Sequence, residues 1–509
     1  MHLIGKWSNI MIKKFLLFIT FSLSALLLWM IWNMSSFSSK QINIDRIDFL
    51  NISKVDSTLT GYDPSKFTEN LSEAIKYKTI SYSDSSLSEP IHFLSFHKFL
   101  ERAYPLAFSK LEKKTFSNYS ILLKWNGSSE SPHNPILLMA HMDVVPVDNQ
   151  DRWTHLPFSG KVDGGYVWGR GAIDDKSSLI AILESIELLL SSGFAPDRDI
   201  YIAIGHDEEN SGRNGNKLIS ESLKNEGIYF DMVLDEGSVL TEGIISGVEK
   251  PLAVIGIAEK GYVSIELTCN YASGHSSMPD KETTIGKLSK AIVKIERNSM
   301  PSKLTTPVKK FFSFIGPEMS FQNRFLLSNS SFFSASILSK LNEDPITSAM
   351  VSTTAAPTII EGGLKSNVLP SMARAIINFR IRQGDSVNKV LKYVEMIIND
   401  KDISVKVLNG DLRAEPSKVS NPESPEFNII HKTINEIFGD VIVAPGMILA
   451  TTDSRHYQKI AKNIYRFMPI KMTSDDLSMV HGSNEKISID SFITMIHFYY
   501  QLIKNIHAS

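Results

Sequence analysis

A chain of 509 residues with 43% hydrophobic and 21% charged residues has a globular make-up, and its length calls for two domains rather than one core. A net charge of -2 supplies no long-range field, which argues against nucleic acid as a partner. The single cysteine, Cys269, excludes an internal disulfide framework and a thiolate metal cage, so any metal must be held by His, Asp and Glu.

From Phe15 to Trp32 the chain reads FLLFITFSLSALLLWMIW without a charge, matching the roughly 17–25 residues that span a bilayer. Lys6, Lys13 and Lys14 precede the run, and the next basic residue is Lys40. Residues 1–34 therefore read as a signal anchor, with the N-terminus cytoplasmic and all that follows in a lumen, vacuole, periplasm or the extracellular space. This is the arrangement of a single-pass type II membrane protein. A cleaved signal peptide on a secreted protein is the competing reading, but no small-x-small site follows the bulky Trp29–Trp32 stretch. Asn-x-Ser sequons at Asn51, Asn70, Asn118, Asn126 and Asn329 suit such a location and would make a glycoprotein, although the triplet is common in a Ser- and Asn-rich chain.

Residues 35–60 are polar and aperiodic and read as a stalk. Strand-like apolar runs then alternate with helical patterns, as in an α/β sheet with crossovers. Ile136–Ala140, Ile200–Ile204 and Met232–Leu234 are strand candidates, and Leu179, Ile180, Leu183, Ile186 and Leu190 recur at helical spacing until Gly193 and Pro196. From about residue 257 the texture changes. Tyr262–Thr268 and Ala375–Arg382 alternate apolar and polar residues, each near a helical stretch (Ile285–Ile295 and Val387–Ile398), so a small α+β domain is expected at 257–412. Between Pro301 and Gly363 no regular element can be placed, despite Phe311, Phe312, Phe314 and Phe321. The first texture returns with Val441–Val443 and the amphipathic Ile487–Ile503, so residues 61–256 and 413–509 form one domain split by the insert.

The chemistry gathers at strand ends. Ile136–Ala140 runs into His141-Met142-Asp143, Ile200–Ile204 into His206-Asp207-Glu208-Glu209, and Met232–Leu234 into Asp235-Glu236-Gly237. Ligands in open α/β sheets bind beyond the carboxyl ends of strands. A fourth acidic pair, Asp174-Asp175, opens the long helix. Any one cluster would ordinarily be a cap or a turn. Four at one sheet edge repel one another unless a cation sits among them, and no Lys/Arg-rich segment accompanies them. A metal site answers this, and His plus carboxylate ligands suit zinc.

The ordered motifs HMDVVPV, WGRGAIDDK, GHDEENSG, VLDEG, SGHSSMP and MVHGSNEKI resemble the aminoacylase and carboxypeptidase S family of dizinc metallopeptidases over roughly residues 60–505. The likeness is greatest to the carboxypeptidase S and N-acyl-amino-acid hydrolase branch. It implies an α/β zinc-peptidase catalytic domain with a mixed, mainly parallel sheet flanked by helices, interrupted by an α+β lid or dimerisation domain, behind a transmembrane helix. It also implies two Zn2+ per chain. His141 would bind one zinc, with Asp143 orienting it. Asp174 would bridge both metals across a cis Asp174–Asp175 bond. Glu208 would be the general base and Glu209 a ligand. Asp235-Glu236 would supply another ligand, Glu236 by analogy, with the register open by one residue, and His481 would complete the second site.

Two zincs roughly 3.5–4 Å apart would lower the pKa of a shared water, and Glu208 would carry its proton to the leaving nitrogen. His275 matches the family histidine that stabilises the oxyanion, often from a partner subunit, which makes a homodimer through the insert an expectation. Asn367, Arg380 and Arg455 resemble substrate-binding positions, with Arg382 competing with Arg380. His155 and Trp153 read as packing the loop after the first metal ligand, His456 as structural or surface, and Lys260 as a solvated strand-end charge. The expected substrate is a small peptide or N-acyl amino acid, cleaved beside a free carboxylate. Two alternatives remain: reversible synthesis and hydrolysis of N-fatty-acyl amino acids, and a non-catalytic receptor ectodomain. The apolar stretch Phe311–Phe333 reads as an acyl pocket, as core or as a dimer contact.

Overall fold

The computed structural model describes residues 2–49, 61–82, 84–128, 131–243, 247–410 and 412–507. The end of the expected stalk, residues 50–60, lies outside them, and so does the sequon at Asn51. At the N-terminus His2–Ser35 is one helix, and its Met11–Ser35 portion is long and apolar enough to cross a membrane.

A ten-stranded mixed sheet forms the larger domain. Its parallel centre is Ile136–His141, flanked by Ile200–Gly205 and Phe230–Asp235, with Ala461–Arg466 parallel to the last. The first three are buried at every position, which is why they read as unbroken apolar runs rather than as alternation. Ser120–Trp125 and Glu112–Phe116 extend one side antiparallel, and Leu252–Glu259 with Ile442–Ile448 extends the other. Against one face pack the helices Lys176–Ser191 and Ile489–His507, through Leu179, Leu183, Ile186, Met495 and Leu502. The opposite face is covered by Ile219 and Leu223 of the helix Asn216–Asn225.

The chain leaves this sheet after Glu259 and enters a second one at Gly261. There Gly261–Asn270 lies between Met372–Ile381 and Ile403–Val407, all antiparallel, with Thr354–Gly362 on the outer edge. One face carries the helices Thr284–Arg297 and Val387–Ile398, whose Leu288, Ala291, Val390 and Val394 share a core with Val263, Ile265, Ala375 and Ile377. Cys269 is buried in the same core.

The stretch in which sequence placed no element holds four helices: Thr306–Ile315, Phe321–Ser328, Ser334–Leu341 and Pro345–Val351. The first does not join the small domain's core. Its Phe311, Phe314 and Ile315 belong to the large core, where Phe314 meets the edge of the Phe427 ring. The residues after the N-terminal helix also lie along the large domain. Gln41 brackets the Val443 backbone, donating from Nε2 to its carbonyl (3.1 Å) and accepting from its N–H (2.8 Å). Ile47 N donates to the Glu436 carbonyl at 2.7 Å.

Two sequons are unsuited to glycosylation in this fold. Asn70 is 6% exposed and donates to Glu184 at 2.7 Å, and Asn329 is 3% exposed. Asn118 and Asn126 are exposed.

Candidate metal centre and active-site cavity

His141 ends its strand and is 2% exposed, with Nε2 3.0 Å from Asp174 Oδ1 and 3.5 Å from Glu236 Oε1. Asp174 Oδ2 lies 3.0 Å from His481 Nε2, which also stands 3.2 Å from Glu209 Oε2. One carboxylate, Asp174, thus stands between two imidazoles, each with a further carboxylate. The Asp174–Asp175 peptide bond is cis. Asp175, which sequence reasoning noted but assigned no task, groups with His141 and Glu236 within 4.8 Å and accepts from the His141 N–H at 3.3 Å.

The open register at Asp235-Glu236 resolves in one direction. Asp235, the last strand residue, is turned away from the cluster: its Oδ2 accepts from Ser454 N at 2.9 Å and its Oδ1 from Glu236 N at 3.0 Å. Glu236, past the strand end, turns in.

The charges behave as a set built for a cation. Burial, then the neighbouring Asp174 charge, pushes Glu236 up to about 8 and Glu209 up to about 7. Glu208 is raised well above the carboxylate range by burial and by Asp453. Hydrogen bonds with Asp174 and Glu209 push His481 up to about 10. Glu209 Oε1 is buried with no hydrogen-bond partner among the described residues. Carboxylates that repel one another, two imidazoles between them and an unpartnered buried oxygen fit a metal-binding group.

Two buried carboxylates hold this arrangement. Asp143, fully buried, accepts from Ser81 Oγ (2.6 Å) and from the N–H groups of Glu208 (3.2 Å) and Glu209 (3.1 Å), while its carbonyl meets His141 Nδ1 at 3.0 Å. It therefore fixes the His141 ring and the Glu208–Glu209 turn together. Glu485, also fully buried, was missed as a site residue although it lies in the last motif. It accepts from the N–H groups of Gly171, Ile173 and Asp174 (2.8–3.1 Å) and pairs with Arg170 at 2.6 Å. Its only sequence signal was its place four residues after His481.

A cavity of about 740 Å3 opens over the cluster at Glu208, Glu209 and His481. Phe93, Tyr119 and His206 line one part, while Arg380, Tyr262 and Arg455 line another. Arg380 lies over the Tyr262 ring, 4.7 Å from its centroid. Arg455 has a side chain 8% exposed, and its Nη1 donates to the Thr452 carbonyl at 2.9 Å. Its Nε and Nη2 make no hydrogen bond among the described residues. Arg382 lies past the strand end, buried, with Nη2 3.2 Å from Asp385, and unlike Arg380 it is not among the described residues lining the cavity. None of the phenylalanines between Phe311 and Phe333 is among the described residues lining this cavity.

His275 and Asn367 are brought together but away from the cavity. His275 pairs with Val368 in a short exposed ribbon, where Ser276 N donates to the Asn367 carbonyl at 3.3 Å and Ser277 Oγ lies 2.7 Å from His275 Nδ1. Lys260 corrects the expectation of a solvated charge. It is 1% exposed, and its Nζ donates to the carbonyls of Ala349 and Ser352 at the end of the helix Pro345–Val351 and to Thr354 Oγ1. Burial pushes it down to about 7. His456 is structural, bonded to the Ser211 carbonyl at 3.1 Å, and His155 pairs with Asp163 at 3.3 Å beside Trp168.

A split α/β domain with an α+β insert, and a His/carboxylate cluster under a cavity at the carboxyl ends of parallel strands, define a metal-dependent hydrolase. Known proteins agree. Peptidase family M20/M25/M40 matches residues 137–505. The probable carboxypeptidase S-like 2 of Dictyostelium discoideum is 41% identical over 487 residues, covering 95% of this chain and 92% of that protein. The N-fatty-acyl-amino acid synthase/hydrolase PM20D1 of Xenopus tropicalis is 39% identical over 447 residues, covering 86% of each. The M20 family metallo-carboxypeptidase Sso-CP2 from Sulfolobus solfataricus shares the fold, with a TM-score of 0.63 at 19% identity over 87% of this chain and 99% of that one. The chain belongs to peptidase family M20/M25/M40 and is a metallopeptidase-type amide hydrolase.

Proposed function

We propose that the chain is a two-zinc hydrolase that cleaves the amide bond of a small peptide or N-acyl amino acid beside its free carboxylate. The observation that carries this is Asp174, whose two oxygens face His141 and His481 at 3.0 Å each. In this reading His141, Asp174 and Glu236 hold one zinc, and Asp174, Glu209 and His481 the other. When bound, the metals polarise the scissile carbonyl and acidify water.

The chain's own residues do the rest. Glu208, whose proton affinity is raised by burial and then by Asp453, takes a proton from water as the carboxylate and returns it to the leaving nitrogen. Asp143 keeps Glu208 aimed by holding its backbone N–H. Arg380 grips the substrate carboxylate with its planar guanidinium, and Arg455, which lines the same cavity with Nη2 3.8 Å from Asp453 Oδ1, adds positive charge beside it. His275 supplies the oxyanion donor from a second subunit, which its place outside the chain's own cavity supports. The small domain acts as lid and dimer contact. Relatives named as carboxypeptidase S-like proteins and as N-fatty-acyl-amino acid synthase/hydrolases support both substrate classes, and synthesis is the same reaction run in reverse.

The test is Glu208→Gln, with metal content and turnover measured on a panel of dipeptides and N-acyl amino acids. Two zincs per chain should remain while turnover falls roughly 10²–10⁴-fold or more. Unchanged turnover, or metal loss equal to that of His141→Ala, would overturn the assignment.

A further inference from the structure

The candidate span Met11–Ser35 has 25 residues, about 37 Å of helix against a hydrocarbon core of about 30 Å. Its last turns are held by the folded domain. Met30 is 5% exposed, and its carbonyl accepts from Asn329 Nδ2 at 3.2 Å. Asn33 Nδ2 donates to Asn329 Oδ1 at 3.0 Å. Just beyond, Arg324 Nη2 donates to the Phe37 carbonyl at 2.8 Å, and the Phe37 ring lies against Gly316.

Met30 precedes the helix end by about 7 Å of rise, so Asn329, at the end of the helix Phe321–Ser328, reaches to that depth beside the span. Trp29 and Trp32 on the same turns stay exposed, and tryptophan favours the membrane–water boundary. The residues next to this contact include exposed phenylalanines. Phe321 is 69% exposed and Phe332 59%, and the Phe332 ring meets Phe333, which meets Phe325. Phe321 and Phe325 are one helical turn apart on the same face. Exposed aromatics grouped in this way mark an interaction surface.

We propose that the helical segment 321–333 is a membrane-contact surface, seating the catalytic domain on the phospholipid bilayer that holds its own N-terminal helix. It rests on the reading of that helix as a retained anchor. The docked last turns fix the height of the segment, and the exposed phenylalanines enter the headgroup boundary to a depth of about 5–10 Å. Two attachments, a spanning helix and a shallow aromatic surface, then fix the orientation of the domain rather than leaving it to swing.

The test uses the full chain in phosphatidylcholine vesicles. Phe321→Cys and Phe332→Cys carry an environment-sensitive fluorophore, with Met396→Cys, 62% exposed on a helix of the small domain, as the reference. The native Cys269 is buried and does not react under native conditions. A nitroxide on the lipid headgroup should quench the labels at 321 and 332 at least about twofold more than at 396, with hydrolase activity retained as the check on folding. Equal quenching in chains that resist carbonate extraction overturns the surface and leaves the anchor intact. A blue-shifted label that lipid nitroxide does not reach assigns the face to another protein surface, which also overturns it. Release of the chain by carbonate overturns the anchor and the surface with it.

Discussion

The floor of the cavity and its far wall are built differently. The floor comes from strand ends of the ten-stranded sheet. There His141 is 2% exposed, Asp143 and Glu485 are fully buried, and Glu485 reaches back more than 300 positions to hold the Asp174 loop. The wall comes from the small antiparallel domain, where Arg380 lies on Tyr262 of the neighbouring strand; the same domain carries His275 and Asn367 exposed on a ribbon away from the cavity. A floor cross-linked by buried charges keeps its geometry whatever the small domain does. In the proposed function the wall closes as a lid, completing recognition without disturbing the groups that perform the chemistry.

The sharpest way to break this contrast is to loosen the floor. Glu485→Gln leaves Arg170 buried without its partner and weakens three backbone bonds. Losing one partner of a buried pair costs about 3–5 kcal/mol. Both metal content and thermal stability should fall together, along with nearly all activity. Full metal occupancy in this variant would mean that the Asp174 loop does not need Glu485.

His275→Ala should leave metal content and stability unchanged, because the residue is exposed, while kcat falls by about 10²–10³. The cleaner measurement mixes His275→Ala chains with Glu208→Gln chains. If each subunit lends His275 to its partner, mixed dimers hold one intact site, and about a quarter of parental activity returns. No recovery on mixing, in a sample that exchanges subunits, would place His275 outside the partner's site.

Arg380→Ala tests the wall itself. Hydrogen bonds to charged groups are worth about 1.5–3 kcal/mol, so kcat/KM for free-acid substrates should drop roughly 10–100-fold with little change in metal content. Amidated substrates should be poor from the start and lose little more. If Arg455→Ala alone gives the effect, the clamp belongs to the large domain and the proposed division of labour is wrong.

How legible all this was in the sequence follows the same division. Strands buried on both faces announce themselves as apolar runs, and His or acidic residues directly after them could be read as one sheet edge. Glu236 could not be separated from Asp235, because one step past a strand end reverses the side-chain direction and the turn that decides it is not a pattern in the residues. Lys260 was misread because its acceptors are the terminal carbonyls of Pro345–Val351, in a stretch whose short helices carry no long periodicity. The phenylalanines there divide between the large core and the surface, a distinction set by the path of the chain and not by composition. Glu485 looked like one charge in a polar loop, since four donors from a distant loop leave no local trace.

The smallest effect expected is on stability in acid, and it too separates the two regions. His431, in the large domain's helix Pro425–Phe438, is 1% exposed, and its Nε2 has no hydrogen-bond partner among the described residues. Burial alone pushes it down to about 4. In the unfolded chain it titrates at about 6.5. Above that pH it is neutral in both states and contributes no pH dependence. As the pH falls from about 6.5 towards 4, the unfolded chain takes up the proton first, and stability is lost by up to about 3 kcal/mol from this group. His431→Leu removes the titration while keeping the site apolar, so denaturant unfolding followed from pH 7 to pH 4 should show a shallower loss than the parent. Of the three histidines held near 4, His431, His456 and His497, none lies in the small domain. Acid should therefore weaken the large domain first, and hydrogen exchange at pH 5 should show its helices opening before those of the insert. The reverse order, or an unchanged slope in His431→Leu, would mean that these buried imidazoles do not govern acid stability.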